Sequence, residues 1–305
     1  MTSRPSHLDI LATTAWWSAA ARARETERSD RLFDDPWAMT LAGRQFVEEF
    51  NLAIAGHGGE IVDLHATVTR FFDDFLLRIT RELGISQVVL VASGLDCRAF
   101  RLNWPSGTRL FELDQPHVIA YKNCRLDLMG AAPQCLRDCF GVDLNGQWRH
   151  ALCRGGFNPA ERSVWLFEGC LYFFAESAVS NLLKIVTSLS AKGSYMAADL
   201  VNERMLTCPA TRHWTDRMSS AGAPWLFTSD EPEALLASLG WSANVVRSGE
   251  DGADFGRVFR LKESPSPLGS PLSLLVTATR DRLAAGFDEY PQLRWPQERD
   301  GASPG

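Results

Sequence analysis

Between Val88 and Asp114 the chain sets a short apolar run, a loop of small residues and an acid at a spacing that suits a nucleoside-like ligand. The loop reads Ala92-Ser93-Gly94-Leu95-Asp96. Small residues there let the main chain come close to a ligand, and Gly94 can take backbone angles that other residues resist. Twenty residues past Gly94 stands Asp114, directly after Phe111-Glu112-Leu113. A carboxylate at that distance can accept hydrogen bonds from both hydroxyls of a ribose. The GxGxxG diphosphate fingerprint is absent, and Asp96 occupies the place a diphosphate would approach. NAD and FAD are therefore disfavoured, and a phosphate-free cation, S-adenosylmethionine, suits the loop better.

Such a loop works only if it follows the first strand of an open parallel sheet, where ligands bind beyond the carboxyl ends of the strands. Gln87 to Ala92 is a Val- and Leu-rich run without alternation, as expected of a strand covered on both faces. Similar runs are predicted as strands at Arg109–Leu113, near Gly141–Val142, at Ser163–Phe167 and at Ser194–Ala198. Helices are predicted over Thr14–Glu27, Asp63–Leu83, Gln115–Leu128 and Ala175–Leu189. Phe33, Trp37 and Leu41, at four-residue steps, extend the helical reading of the first third. Ala243–Arg247 and Leu272–Thr279 complete the sheet, the latter suiting an antiparallel edge. The implied fold class is α/β, a Rossmann-like sheet that is mostly parallel with helices on both faces.

Composition is that of an ordinary globular chain, with 45% hydrophobic and 22% charged residues. The net charge of −6 argues against non-specific nucleic-acid binding. No run reaches the roughly 18 uncharged residues of a membrane span, and Met1–Ile10 lacks the apolar stretch of a signal peptide, so a cytoplasmic location is expected. Seven cysteines without a CxxC pair read as reduced thiols, and the six dispersed histidines make a zinc or other metal site unexpected.

Further segments make the resemblance specific. The chain resembles the leucine carboxyl methyltransferase family and its bacterial natural-product carboxyl O-methyltransferase relatives, within the class I S-adenosylmethionine-dependent methyltransferases. The matching segments are Ala19–Glu25, Arg31–Pro36, Val91–Leu102, Phe111–Pro116, Asp143-Leu144 and Glu168–Leu171, in family order from about residue 14 to about residue 280. The family's Gly-x-Gly-x-Asp-Thr-Arg reads Ala-Ser-Gly-Leu-Asp-Cys-Arg here, with Ala92 and Cys97 as the departures. The resemblance implies that Asp114 holds the ribose while Asp143 and the Leu144 amide read the adenine. It places Glu168 at the methionine end, offers Arg70 as the partner of the cofactor carboxylate, and leaves Ala92, Ser93, Gly94 and Asp96 as the cradle. In the family's Glu-Gly-Leu-Leu-x-Tyr motif Phe173 stands at the Tyr position and Tyr172 precedes it.

These implications set the expected organisation. Residues 1–84 would form a helical lid and substrate region, residues 85–280 the cofactor-binding core with a lid insertion at about 202–228, and residues 281–305 a tail. Trp16, Trp17, Trp214 and Trp225 are candidates for an apolar substrate pocket. The expected reaction is direct displacement onto a carboxylate of a small molecule or peptide, which needs no base because a carboxylate is already ionised. Arg22, Arg24 and Tyr172 are the candidates to position that acceptor, with Arg22 first. A hydroxyl acceptor is the alternative and would need a base, His117 or His213. A non-catalytic cofactor- or partner-binding protein of the same fold is the third reading.

Overall fold

The computed structural model describes residues 10–55, 60–209, 211–220, 222–250, 252–257 and 271–280. The expected tail at 281–305 lies outside the described residues. In chain order the elements are α1 (Ile10–Thr26), α2 (Ala38–Ala42), α3 (Arg44–Ile54), α4 (Glu60–Glu82), β1 (Gln87–Val91), α5 (Arg98–Arg101), β2 (Arg109–Asp114), α6 (Pro116–Leu128), β3 (Leu136–Gly141) and α7 (Trp148–Arg154). There follow β4 (Ser163–Phe167), a single 3₁₀ turn (Leu171–Phe173), α8 (Glu176–Leu189), β5 (Tyr195–Val201), α9 (Glu203–Thr207), α10 (Arg212–Ser220), α11 (Pro232–Ala237), β6 (Trp241–Arg247) and β7 (Ser273–Arg280). Among the described residues no helix is long and apolar enough to cross a membrane.

The seven strands order as β3-β2-β1-β4-β5-β7-β6. Strands β1 to β5 pair in parallel, and β7 runs antiparallel to both β5 and β6. The order reverses between β1 and β4, which creates the crevice where this class of sheet binds ligands. Every residue of β1 and β4 is buried because helices cover both faces. Alternate residues of β1 feed two cores: Val88 and Leu90 pack with α1 to α4, while Val89 and Val91 pack with α7 and α8. On α8, Val179, Leu182, Leu183 and Val186 make the buried stripe at helical spacing.

Leu272–Thr279, expected as the antiparallel edge, forms β7 inside the sheet between β5 and β6, which leaves the half-exposed β6 as the antiparallel edge. Two further expectations change. The four-residue steps of Phe33, Trp37 and Leu41 are not one helix, since only Ala38–Ala42 is helical. Pro36 explains this, because a proline drives the residue before it, here Asp35, out of helical angles. That extended turn buries Asp35 against Arg22 instead. The third strand precedes its expected place at Gly141–Val142: its Arg137 and Asp138 look like loop residues but pair with Glu112 and Arg109 on β2. The Glu112 carboxylate, fully buried, also takes the Lys122 ammonium of α6 at 2.8 Å. This triad ties β2, β3 and α6 together directly behind Asp114.

Candidate functional site

The chain turns sharply where β1 ends. Ala92 has φ +54° and Gly94 φ +48°, both left-handed. The Ser93 amide donates to the Leu113 carbonyl at 3.0 Å and the Asp96 amide to the Ser93 carbonyl at 2.9 Å, closing the turn. Asp114 caps it: its Oδ2 accepts the Gly94 amide at 2.6 Å and its Oδ1 the Gln115 amide at 2.7 Å. A side chain at position 94 would start 3.0 Å from the Ala15 methyl, so only glycine lets α1 close over the loop. At position 92 the chain carries a methyl where left-handed angles cost an L-residue about 1–2 kcal/mol. Ala92→Gly should therefore raise the denaturant midpoint at unchanged slope, by about 0.5–1 kcal/mol after the added freedom of the unfolded chain is subtracted. A lower midpoint would contradict the strain.

A cavity of about 280 Å³ opens beyond this turn, at the carboxyl ends of β1, β2, β4 and β5. The whole loop from Ala92 to Asp96 lines it together with Asp114, and Asp143, Leu144 and Glu168 line it farther along. Arg22 and Tyr172 also reach the wall, whereas Arg24 and Arg70 do not. Arg24 is paired with Glu27 at 2.9 Å on the outer face of α1. Arg70 bonds Asp74 at 2.8 Å and the Leu32 carbonyl at 2.9 Å, and lies over the Phe255 ring. Helical phase gives the reason: Val68, two positions earlier on α4, faces the cavity, so position 70 is turned well away. Arg22 enters from α1, with its Nε on Asp35 at 2.8 Å and its Nη2 on the Leu95 carbonyl at 2.5 Å.

Behind the wall Arg98 organises the carboxylates. Its guanidinium bonds Asp73 at 2.6 Å and Asp96, sits 2.5 Å from Glu168 Oε2, and reaches the Thr69 carbonyl at 3.2 Å. The Thr69 hydroxyl donates to the other Glu168 oxygen at 3.0 Å. Burial alone would push Asp96 upward, but Arg98, with Lys122, Arg22 and Arg101 beyond it, holds its carboxyl well below the usual range. Asp114 moves the other way: burial pushes it up despite its two amide donors.

Two wall residues escape sequence reasoning. His65 of α4 is half-buried in the wall and, through desolvation and then Arg22, pushed down to about 4, so it is neutral near pH 7. Asp199 of β5 accepts the Gly169 amide at 2.6 Å and the Tyr172 hydroxyl. No motif marks either; the one available signal for Asp199 is an acid inside the otherwise apolar run Tyr195–Val201. Neither His117 nor His213 lines the cavity. Trp214 and Trp225 do, but Trp16 and Trp17 do not, packing instead against Tyr121 and Phe50. All seven cysteines are free, and burial pushes Cys135 and Cys139 up to about 12.

The donor set fits S-adenosylmethionine. Among the described residues five carboxylic side chains line the cavity with one cation, Arg22, and Arg98 behind the wall offsets only Asp96 and Glu168, a field that suits a sulfonium and an ammonium. The Ser93 hydroxyl, in the loop wall, is buried without a partner among the described residues, as a group awaiting a ligand would be.

The family profile described as leucine carboxyl methyltransferase matches residues 15–187, more than half of the chain. The chain belongs to the leucine carboxyl methyltransferase family. Relatives within reach of it extend over nearly the whole sequence. One from Saccharopolyspora erythraea is 37% identical over 282 residues, covering 89% of this chain and 96% of its own. Another, from Mycolicibacterium smegmatis, is 37% identical over 275 residues, covering 85% and 91%. Both carry a provisional name as S-adenosyl-L-methionine-dependent methyltransferases. Among solved structures, a DUF574 family protein from Streptomyces avermitilis superposes with a TM-score of 0.60 at 12% identity, covering 87% of this chain and 97% of that one. A Thermobifida fusca protein, provisionally titled a methyltransferase, gives 0.58 at 14% identity, covering 88% and 94%. At such identities these two speak for the fold, which this family member shares with class I methyltransferases.

Proposed function

We propose that this chain transfers the methyl group of S-adenosylmethionine to the oxygen of a neutral, hydroxyl-bearing small molecule with an aromatic ring. Its family membership makes it an S-adenosylmethionine-dependent methyltransferase. In this reading Asp114 holds the ribose, Asp143 and Leu144 meet the adenine, and Glu168 lies toward the methionine end. Charge carries the choice of acceptor. Arg98 offsets Asp96 and Glu168 from behind the wall, but Asp114, Asp143 and Asp199 have no such partner among the described residues, and Arg22 is already engaged by Asp35 and the Leu95 carbonyl, so the wall favours a neutral acceptor over an anionic one. The rings of Tyr172 and Trp225, 4.9 Å apart and tilted by 50°, and Trp214 in the same wall supply aromatic surface for an aromatic body.

A carboxylate acceptor is the second reading, in keeping with the family's name and with a bacterial natural-product acid. The presence of Arg22 in the wall favours it. Either reading takes residues 1–84 and the 202–228 insertion as the cover of a core at 85–280. The Leu226 amide donates to the Tyr172 carbonyl at 2.6 Å, and Arg217 donates to the Ala53 carbonyl at 3.0 Å while lying over Trp17, so the insertion is tied both to the turn after β4 and to the N-terminal helices.

The test uses methyl-tritiated cofactor with matched phenols and aromatic carboxylic acids. Label that survives mild alkali is an ether and supports the hydroxyl reading. Label released as methanol is an ester and overturns it in favour of the carboxylate. Absence of S-adenosylhomocysteine binding in calorimetry sinks both and leaves the non-catalytic partner-binding reading.

A further inference from the structure

A neutral hydroxyl must lose its proton, and neither histidine suggested by the sequence reaches the cavity. One group in the wall is built for that task. Asp199, at the carboxyl end of β5, is only 8% exposed yet lines the cavity next to Glu168. Its Oδ1 takes the Gly169 amide at 2.6 Å and its carboxylate the Tyr172 hydroxyl, so it is fixed between the end of β4 and the aromatic wall. Among the described residues no arginine or lysine forms an ion pair with it. The ionisable groups around it are Glu168, Cys170 and Tyr172, and its β7 neighbour is the apolar Leu275.

We propose that Asp199 is the catalytic base of the transfer, taking the proton of the acceptor hydroxyl, with Tyr172 as the positioning residue that orients it. The inference rests on the hydroxyl reading above. When bound, S-adenosylmethionine supplies the methyl carbon: an electron pair of the acceptor oxygen forms the C–O bond, and the S–C bond breaks with its pair left on sulfur as a neutral thioether. The acceptor's proton passes to the Asp199 carboxylate and from there to solvent, so charge and atoms balance. Burial, reinforced by Glu168, brings the Asp199 carboxyl up to about 7, near the poise that serves a base at neutral pH. Tyr172, itself pushed upward by burial and by Asp199, stays protonated and remains a donor. Its hydrogen bond favours the Asp199 carboxylate, opposing the rise.

Asp199→Asn keeps the shape and the oxygen that accepts the Gly169 amide. With a simple phenol such as catechol as acceptor, it should cost about 10²–10⁴-fold in kcat while S-adenosylhomocysteine affinity, by calorimetry, stays within about threefold of wild type. The acidic limb of the wild-type kcat–pH profile near 7 should vanish in Asp199→Asn and move to higher pH in Tyr172→Phe. One readout needs no turnover. A carboxyl raised in the folded state favours folding below its unfolded value and loses that contribution as pH rises through about 7. The wild-type melting temperature should therefore drop more between pH 5 and pH 8 than that of Asp199→Asn. Retained kcat, an unchanged pH limb or identical melting profiles would each overturn the base assignment alone. A wild-type enzyme that methylates carboxylates and no hydroxyl overturns the assignment and the hydroxyl reading together.

Discussion

Arg98→Met is expected to lower the melting temperature by on the order of 10 °C at pH 7. Arg98 is fully enclosed and faces Asp73, Asp96 and Glu168 at once, while Arg101 is a second cation on Asp73 and lies 3.9 Å from Asp35. Removing one partner from a buried ion pair typically costs about 3–5 kcal/mol, since the remaining charge keeps its desolvation cost without its attraction. Here two carboxylates, Asp96 and Glu168, lose their strongest neighbour, which is a sizeable fraction of the roughly 5–15 kcal/mol that holds a domain together.

The pH dependence separates this from a simple packing loss. In the wild type Asp96 is depressed, so its contribution to stability is present above the unfolded carboxylate range and fades as pH falls into that range. Without Arg98, its leading opposing cation, the burial of Asp96 pushes that carboxyl upward in the folded state. The variant should therefore lose stability as pH rises, and its gap from wild type should narrow between pH 7 and pH 5. Arg98→Lys should recover part of the loss, because it restores charge but not the planar fork. Circular-dichroism melts across that range decide the matter, and a gap that is small or independent of pH would sink the account.

The same cluster shows what a linear sequence conceals. Gly94, Asp96 and Asp114 are legible because one strand, one tight turn and the next strand place them by short-range geometry. The parallel strands follow similarly from apolar runs separated by helical lengths. Arg70 misleads because a two-position difference on a helix turns a side chain through most of a half-circle, so Val68 takes the wall and Arg70 the outside. Asp199 and His65 lie more than a hundred residues apart and share a cavity only through the crossovers of the sheet. Strand β3 is obscured by charges whose partners sit on β2. The helices α9 to α11 are too short for periodicity to register.

Asp114 carries the largest expected effect on the ligand. Its two oxygens already brace the turn through the Gly94 and Gln115 amides, and each keeps acceptor capacity toward the cavity. A carboxylate accepting both ribose hydroxyls makes two charge-assisted bonds worth about 1.5–3 kcal/mol each. Asp114→Ala removes both and also releases the Gly94 amide, so S-adenosylhomocysteine affinity should fall by roughly two to three orders of magnitude. Asp114→Asn can still brace one amide and accept one hydroxyl, and should lose less. Because burial raises the Asp114 carboxyl, wild-type affinity should begin to decline on acidification at a higher pH than an exposed aspartate would allow. Calorimetric titrations of the three proteins, each first shown to melt cooperatively, test this ordering. Equal affinities for wild type and Asp114→Ala would mean that the ribose lies elsewhere, and that the acid after β2 serves the turn rather than the ligand.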